Sequence, residues 1–241
     1  MKVRYLTVIG GRAHLNGITF ATDTHVIRGR LSQGNISISV RRLPGMRVFD
    51  LMDKVPFLRG VSKLIKLNLK LFLAIILFLA IPWEWALPAN ELMGFDSVWI
   101  DLAIYGFVLF MLVVLLKRLW QFHGAEHKAY NIYTSGADLS LSAVREASRI
   151  SERCGTNIAV IAIPIVILFS FVTMPLLLMI AVLGISYEIY NWSSCRYRLK
   201  TAFLIAGLIQ KYIVTAEPTE EQIRLATETL SKALEYGRDY T

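Results

Sequence analysis

The hydrophobic positions of the chain change pattern several times along its length. Residues 1–45 carry short apolar runs rich in β-branched residues, separated by glycines such as Gly10, Gly11 and Gly29. Runs of this kind are typical of strands joined by tight turns. Residues 46–70 instead interleave lysine and arginine with apolar residues, which is typical of an amphipathic segment on an anionic membrane surface. The pattern predicts a β-rich cap followed by a basic amphipathic segment.

Long apolar blocks follow between residues 71 and 198. Two of them, at about 71–86 and about 98–116, have the apolar length of membrane spans. A third, 158–189, would be about 48 Å long as one helix against about 30 Å of hydrocarbon, and it contains Pro164 and Pro175. We therefore expect a short hairpin that turns near residues 173–175, with a single long tilted helix as the alternative. Residues 71–198 thus predict about four spans, with a cytoplasmic motif region at 118–156.

The last part of the chain, 199–241, predicts an interfacial segment and then a helix. Residues 199–214 are apolar but shorter than a span. Thr219 and Gln222 have capping-box spacing after Pro218, and apolar residues follow at helical intervals. The expected fold class is mainly α: a polytopic membrane helical bundle with a small β-rich N-terminal cytoplasmic cap and a C-terminal amphipathic helix.

The distribution of charge predicts the topology and the partners. No lysine or arginine lies between Lys70 and Lys117, whereas basic residues flank the other apolar blocks. Because basic loops face the cytoplasm, we expect a multi-pass plasma membrane protein with both termini cytoplasmic. The chain is 55% hydrophobic and 18% charged, with a net charge of +8. These flanking positions favour the lipid bilayer as the partner over nucleic acid, and the oligomeric state is left open.

One motif carries candidate chemistry. His123 and His127 enclose Glu126 in the pattern H-x-x-E-H. Histidines four residues apart lie on one helix face and can bind one metal ion, and the glutamate of such a motif acts as general base on a metal-bound water. We expect Zn²⁺ as the cofactor. The predicted helix runs unbroken from 98 to about Tyr133 and ends at Ser135-Gly136.

The third metal ligand is left open between Glu188 and Cys154. Glu188 follows Tyr187 in an apolar segment, where a carboxylate is costly unless it is paired or ligated. Cys154 follows Arg153, which favours a thiolate that can bind zinc. The alternatives are an ion pair of Glu188 with Lys128 or Arg153, and an inert buried cysteine.

Several blocks of the sequence, in their order, match a known family. The main ones are Lys54 to Gly60, which includes Arg59, then His123 to Lys128, Arg153 to Thr156, and Gly184 to Glu188. On these blocks the chain resembles the YqhQ-like integral membrane proteins, a family of unknown function. The resemblance covers nearly the whole length and implies a multi-span membrane fold, but it implies no activity.

Two functions from different classes fit these observations. The first is a zinc-dependent membrane hydrolase or peptidase that acts on a membrane-protein segment or a lipid. The second is a non-catalytic membrane scaffold or assembly factor that binds a protein partner. A transporter ranks last, because the midplane regions of the predicted spans carry almost no charge. Substitution of Glu126 by Gln would separate the first two, since only the hydrolase needs that carboxylate.

Overall fold

Four antiparallel strands form the N-terminal part of the structure. The computed structural model describes residues 8–22, 24–42, 51, 52, 54–58, 62, 106, 107, 110, 111, 113–168, 175–194 and 199–238. The strands follow one another in the order β1-β2-β3-β4. Their bounds are Val8–His14 (β1), Gly17–Thr22 (β2), His25–Ser32 (β3) and Asn35–Arg42 (β4). Among the described residues, strand β1 therefore pairs on one side only and forms an edge of the sheet.

The turn between β3 and β4 shows why this stretch forms a hairpin. Its two central residues, Gln33 and Gly34, have φ angles of 50° and 78°. Positive φ at both positions gives the backbone twist that matches two antiparallel strands. Within β3, Ile27 and Leu31 are buried while Arg30 and Ser32 are exposed. This period of two leaves one apolar face of the sheet for packing.

Six α-helices and one π-helix follow in the described part of the chain. Helix α1 is Lys117–Ser135, α2 is Leu141–Glu146, α3 is Gly155–Leu168, α4 is Pro175–Ser194, α5 is Lys200–Ile209 and α6 is Glu220–Arg238. The π-helix Gln210–Val214 continues directly from α5. Gly136 ends α1 in the left-handed conformation, φ 76°, which confirms the predicted helix end.

The core lies between the apolar face of the sheet and helices α1 and α6. Phe20 and Ile27 of the sheet are fully buried with Phe122 of α1 and with Leu225 and Leu230 of α6. Burial of each such side chain stabilises the fold by about 1.5–3 kcal/mol. Helix α6 begins with the predicted capping box: Thr219 N–H donates to Gln222 Oε1 at 2.8 Å, and Gln222 N–H donates to Thr219 Oγ1 at 3.4 Å. The capping box is thereby confirmed.

The predicted polytopic membrane helical bundle is wrong. None of the helices in the described ranges has both the length and the apolar character required to cross a bilayer, and a four-stranded sheet packs with α1 and α6. The apolar block 158–189 is divided between α3, whose 14 residues extend about 21 Å, and α4. Helix α4 has 20 residues, but its second half contains polar residues such as Tyr187, Glu188 and Asn191.

Further expectations concern individual segments of the predicted bundle. The helix predicted to run unbroken from 98 to Tyr133 is interrupted at Leu116, whose φ of −95° and ψ of 16° precede the start of α1 at Lys117. The predicted span 71–86 and the turn near 173–174 lie outside the described residues.

Candidate metal centre

Helix α1 presents His123 and His127 on one face, one turn apart. Their ring centroids are 4.3 Å from each other. The same turn of helix packs against the chain that leads into α6: Ala216 N–H donates to Trp120 O at 2.9 Å. A Cβ atom on Gly124 would collide with the carbonyl oxygen of Ala216. The glycine inside the motif is therefore what allows this close approach.

Both imidazoles are oriented by backbone carbonyls. His123 Nδ1 lies 2.9 Å from Val214 O, and His127 Nδ1 lies 2.6 Å from Arg149 O. A carbonyl can only accept, so each Nδ1 carries the proton and each Nε2 keeps its lone pair. Burial lowers the pKa of His123, and burial together with the charge of His123 lowers the pKa of His127 to about 3. Neutral imidazoles with a free Nε2 are the form that binds metals.

Cys154 completes the group from the turn just before α3. Its Sγ is 3.8 Å from His123 Nε2 and 3.2 Å from Thr156 Oγ1. The side-chain amide of Asn157 holds this turn, since its Nδ2 lies within 3.1 Å of the carbonyl oxygens of Ser151, Glu152 and Cys154. Burial raises the pKa of the Cys154 thiol, and the two hydrogen bonds from Thr156 oppose that rise.

His123, His127 and Cys154 each offer one ligand atom, and these three atoms lie within 4.8 Å of one another. Two nitrogens and a sulfur around one Zn²⁺ would be about 3.5 Å apart, given zinc–ligand distances of about 2.0–2.3 Å at tetrahedral angles. The three residues thus need only small side-chain rotations to hold one metal ion. Imidazole and thiolate are both ligands that zinc accepts.

Glu188, the other predicted ligand, lies in a different environment. Its Oε1 accepts a hydrogen bond from Phe57 N–H at 3.1 Å, where Phe57 has a φ of 69°. Neighbouring Tyr187 lies beside Tyr190, with ring centroids 6.4 Å apart. Glu188 is outside the group formed by the two histidines and Cys154. In this structure the carboxylate therefore supports the backbone near Phe57 rather than the metal group.

Two further predicted motif residues, Lys128 and Arg153, lie outside the ligand group. Lys128 is buried, donates to Arg145 O at 2.8 Å and pairs with Glu217 at 2.7 Å. Glu217 also pairs with Arg149 at 3.0 Å, and the carbonyl of Arg149 orients His127. Arg153 lies beside the hydroxyl of Tyr130, where its charge opposes the burial that raises the tyrosine's pKa. Arg59 lies outside the described residues.

Glu126 borders a cavity next to this centre. The cavity has a volume of about 200 Å³, and Glu126, His123, Trp120 and Gly11 are among its lining residues. A side chain on Gly11 would collide with Glu126, since a Cβ there would lie 2.9 Å from Glu126 Cγ. Burial raises the pKa of Glu126 to about 8, and the charge of Arg12 opposes that rise. The carboxyl of the motif and one of its histidines therefore face the same space.

Several residues that build the centre were not predicted. Val214 and Arg149 contribute through backbone carbonyls, which every residue carries, so no pattern could single them out. Gln210 begins the π-helix that leads to Val214, and its Oε1 accepts from Ser151 N–H at 2.8 Å. Asn157 had a weak signal, because asparagine close to a helix start commonly bonds nearby backbone groups.

Comparison with known proteins identifies a family but no activity. Residues 58–236 match the family described as "Protein of unknown function (DUF1385)". The chain is 25% identical to the "Uncharacterized protein YqhQ" of Bacillus subtilis (strain 168) over 294 residues, which cover 93% of this chain and 92% of that protein. No solved structure matches. The chain therefore belongs to the DUF1385 family, which confirms the resemblance to YqhQ-like proteins.

Proposed function

We propose that this member of the DUF1385 family binds one zinc ion through His123, His127 and Cys154 and uses it for hydrolysis. The observation that carries the proposal is the grouping of three ligand atoms within 4.8 Å. The hydrogen bonds of the imidazoles add to it, because both Nδ1 atoms are bound to carbonyls and both Nε2 atoms remain for a metal.

Three ligands among the described residues favour catalysis over a purely structural role. Structural zinc sites are closed by four protein ligands, whereas catalytic sites have three and bind water in the fourth position. His123 lines both the ligand group and the cavity of about 200 Å³. The fourth position is thus expected to open towards the cavity, where Glu126 is also found.

In this proposal Glu126 acts on the proton of the attacking water. A zinc ion lowers the pKa of a bound water and polarises the substrate's carbonyl group. The hydroxyl of the water forms a bond to the carbonyl carbon, and the bond from that carbon to the leaving group breaks. Glu126 takes the proton of the water and delivers it to the leaving group, so that no other reactant is needed.

A structural metal site within a scaffold is the second candidate. The burial of His127 and Cys154 favours it, because closed sites are commonly buried. The two candidates differ in what they require of Glu126. A scaffold needs only the three ligands, whereas the hydrolase needs the carboxylate as well.

Metal analysis tests the first half of the proposal. We expect about one zinc per chain in the purified protein by mass spectrometry, and loss of that zinc in His127→Ala and in Cys154→Ser. Glu188→Ala is the matched control and should retain zinc, because Glu188 bonds Phe57 N–H instead. Native protein that remains free of metal after zinc is offered at neutral pH would contradict the proposal.

Hydrolysis tests the second half. The zinc-loaded protein is assayed with p-nitrophenyl acetate as a general acyl probe and compared with Glu126→Gln. Loss of the proton acceptor should lower the rate at least about 100-fold while zinc content is retained. Equal rates in the two proteins would leave the structural metal site as the function.

A further inference from the structure

The cavity beside the candidate centre lies between α1 and the edge of the sheet. Gly11 and Arg12 of β1 line one side, and Trp120, His123 and Glu126 of α1 line the other. Its volume of about 200 Å³ corresponds to about seven water molecules at about 30 Å³ each. The space is therefore large enough for one planar polar group and a small side chain.

Two buried polar atoms on the α1 side of the cavity have no hydrogen-bond partner among the described residues. They are the indole Nε1 of Trp120 and the carboxyl Oε2 of Glu126. Glu126 as a whole is only 7% exposed. Buried polar groups are nearly always satisfied in folded proteins, so two such atoms at one cavity are expected to bond either ordered water or a polar group that displaces it. The indole can only donate, and the ionised form of the Glu126 carboxyl can only accept.

An amide group has the complementary pair of atoms. Its carbonyl oxygen accepts and its N–H donates, and in the trans form they point in opposite directions. One amide can therefore bond a donor and an acceptor at the same cavity.

We propose that this cavity binds a peptide bond, with its carbonyl oxygen on Trp120 Nε1–H and its N–H on Glu126 Oε2. This assignment names the substrate class of the proposed hydrolase and rests on that function for its chemistry. Hydrolysis would break the C–N bond, place the hydroxyl of water on the carbonyl carbon and place the proton held by Glu126 on the nitrogen. The products are one carboxylic acid and one amine.

The sheet edge favours an extended polypeptide over an isolated amide. Strand β1 is at the edge of the sheet, and within the described ranges it pairs only with β2. An edge strand can accept a further strand through its outward N–H and C=O groups.

Esters and phosphates fit the two atoms less well than a peptide. An ester has the carbonyl oxygen for Trp120 but no N–H for Glu126. A fully ionised phosphate carries acceptors only, so it offers no donor to the Glu126 carboxylate. The amide can therefore be distinguished from its ester analogue by one hydrogen bond.

The test is a titration with two matched ligands. The full chain is labelled with ¹⁵N at tryptophan only, and Trp120→Phe identifies the indole signal of Trp120. The probes are N-acetyl-alanyl-alanine methylamide and its analogue with an ester in place of the central amide. Both are added to zinc-loaded and to chelator-treated protein, so that binding is measured independently of the metal.

We expect the amide to shift the Trp120 indole proton downfield. The amide should also bind about ten-fold more tightly than the ester, because the ester lacks the N–H that bonds Glu126. Glu126→Gln should reduce or abolish that preference, since the side-chain amide introduced by the substitution can present a donor instead of the acceptor. Trp192→Phe on α4 should leave the preference unchanged. Equal affinities, an unmoved indole signal, or no binding of either probe would overturn the assignment. If the amide binds to protein that takes up no zinc, the peptide site stands and the proposed hydrolysis fails.

Discussion

Two regions of the molecule are held together in different ways. The sheet, α1 and α6 bury their apolar side chains against one another, and Phe20, Leu225 and Leu230 are fully buried. Helices α3 and α5 instead expose large apolar side chains, for example Ile167 at 68% and Leu204 at 64%. The first region is thus stabilised mainly by apolar burial, which contributes about 25 cal/mol per Å².

The candidate centre lies where these two regions meet. His123 and His127 belong to the well-packed region, whereas Cys154 precedes α3 and Val214 follows α5. Directed polar contacts join them: Gln210 Oε1 accepts from Ser151 N–H at 2.8 Å, and Asn131 Nδ2 donates to Ile150 O at 2.8 Å. Changes in the packed region should therefore lower the free energy of unfolding, while changes at the junction should mainly lower metal affinity.

The packed region should show the largest loss of stability. Leu230→Ala removes a fully buried side chain between α6 and the sheet, and we expect a cost of about 3 kcal/mol in the free energy of unfolding. Urea unfolding followed by circular dichroism measures it. Leu204→Ala on α5 is the matched control, and its exposed side chain should cost at most about 0.5 kcal/mol. Similar losses in the free energy of unfolding for Leu230→Ala and Leu204→Ala would contradict the difference between the two regions.

The junction should show an effect on the metal instead. Asn157→Ala removes the amide that holds the carbonyls of Ser151, Glu152 and Cys154. Because groups that position a ligand contribute to metal affinity, zinc affinity should fall about 10–100-fold. Competition with a chromophoric chelator measures the affinity, and Ser142→Ala, exposed on α2, is the control. A folded Asn157→Ala protein with unchanged affinity would show that the turn does not position Cys154.

Local sequence patterns predicted local structure in both regions. The Thr219–Gln222 capping box and the end of α1 at Gly136 depend on neighbouring residues alone, and both occur in the structure. The four-residue spacing of His123 and His127 fixes their common helix face for the same reason. Such features could be predicted because no distant contact is needed to create them.

Features that depend on distant contacts could not be predicted. Apolar content alone does not distinguish a membrane span from a shorter or partly polar helix, so the block 158–189 suggested a hairpin of two spans where the described residues form α3 and a partly polar α4. The sequence ranked Glu188 ahead of Cys154 as the third ligand, and only the packing of the turn before α3 against α1 brings Cys154 to His123. The cavity at the edge of β1 likewise joins residues about 110 positions apart.

An ion pair at the junction gives a smaller effect. Glu217→Gln removes the charge that pairs with Lys128, whose side chain is 7% exposed, while Glu217 itself is 64% exposed. The variant should cost about 1–2 kcal/mol, because a buried charge loses its partner but solvent reaches the site. Glu228→Gln, which breaks an exposed pair with Arg224 on α6, should cost at most about 0.5 kcal/mol. Chemical denaturation measures both variants. A larger loss in the free energy of unfolding for Glu228→Gln than for Glu217→Gln would contradict this ranking.

The smallest effect concerns pH and belongs to the sheet. Burial lowers the pKa of His14 from 6.5 to about 4, and the charges of Arg12, Arg28 and Arg30 act in the same direction. The unfolded chain therefore binds this proton first, so the contribution of His14 to stability is complete above about pH 6.5 and is lost as pH falls towards 4. We expect His14→Gln to make the free energy of unfolding less dependent on pH across this window, by less than about 1 kcal/mol because the site is partly solvated. Arg30→Gln should reduce the dependence more weakly, since it removes one repelling charge and leaves the burial of His14 in place. The free energy of unfolding is measured by denaturation at about pH 4.5 and about pH 7. If the difference between the two pH values is as large for His14→Gln as for the native chain, other groups cause the pH dependence.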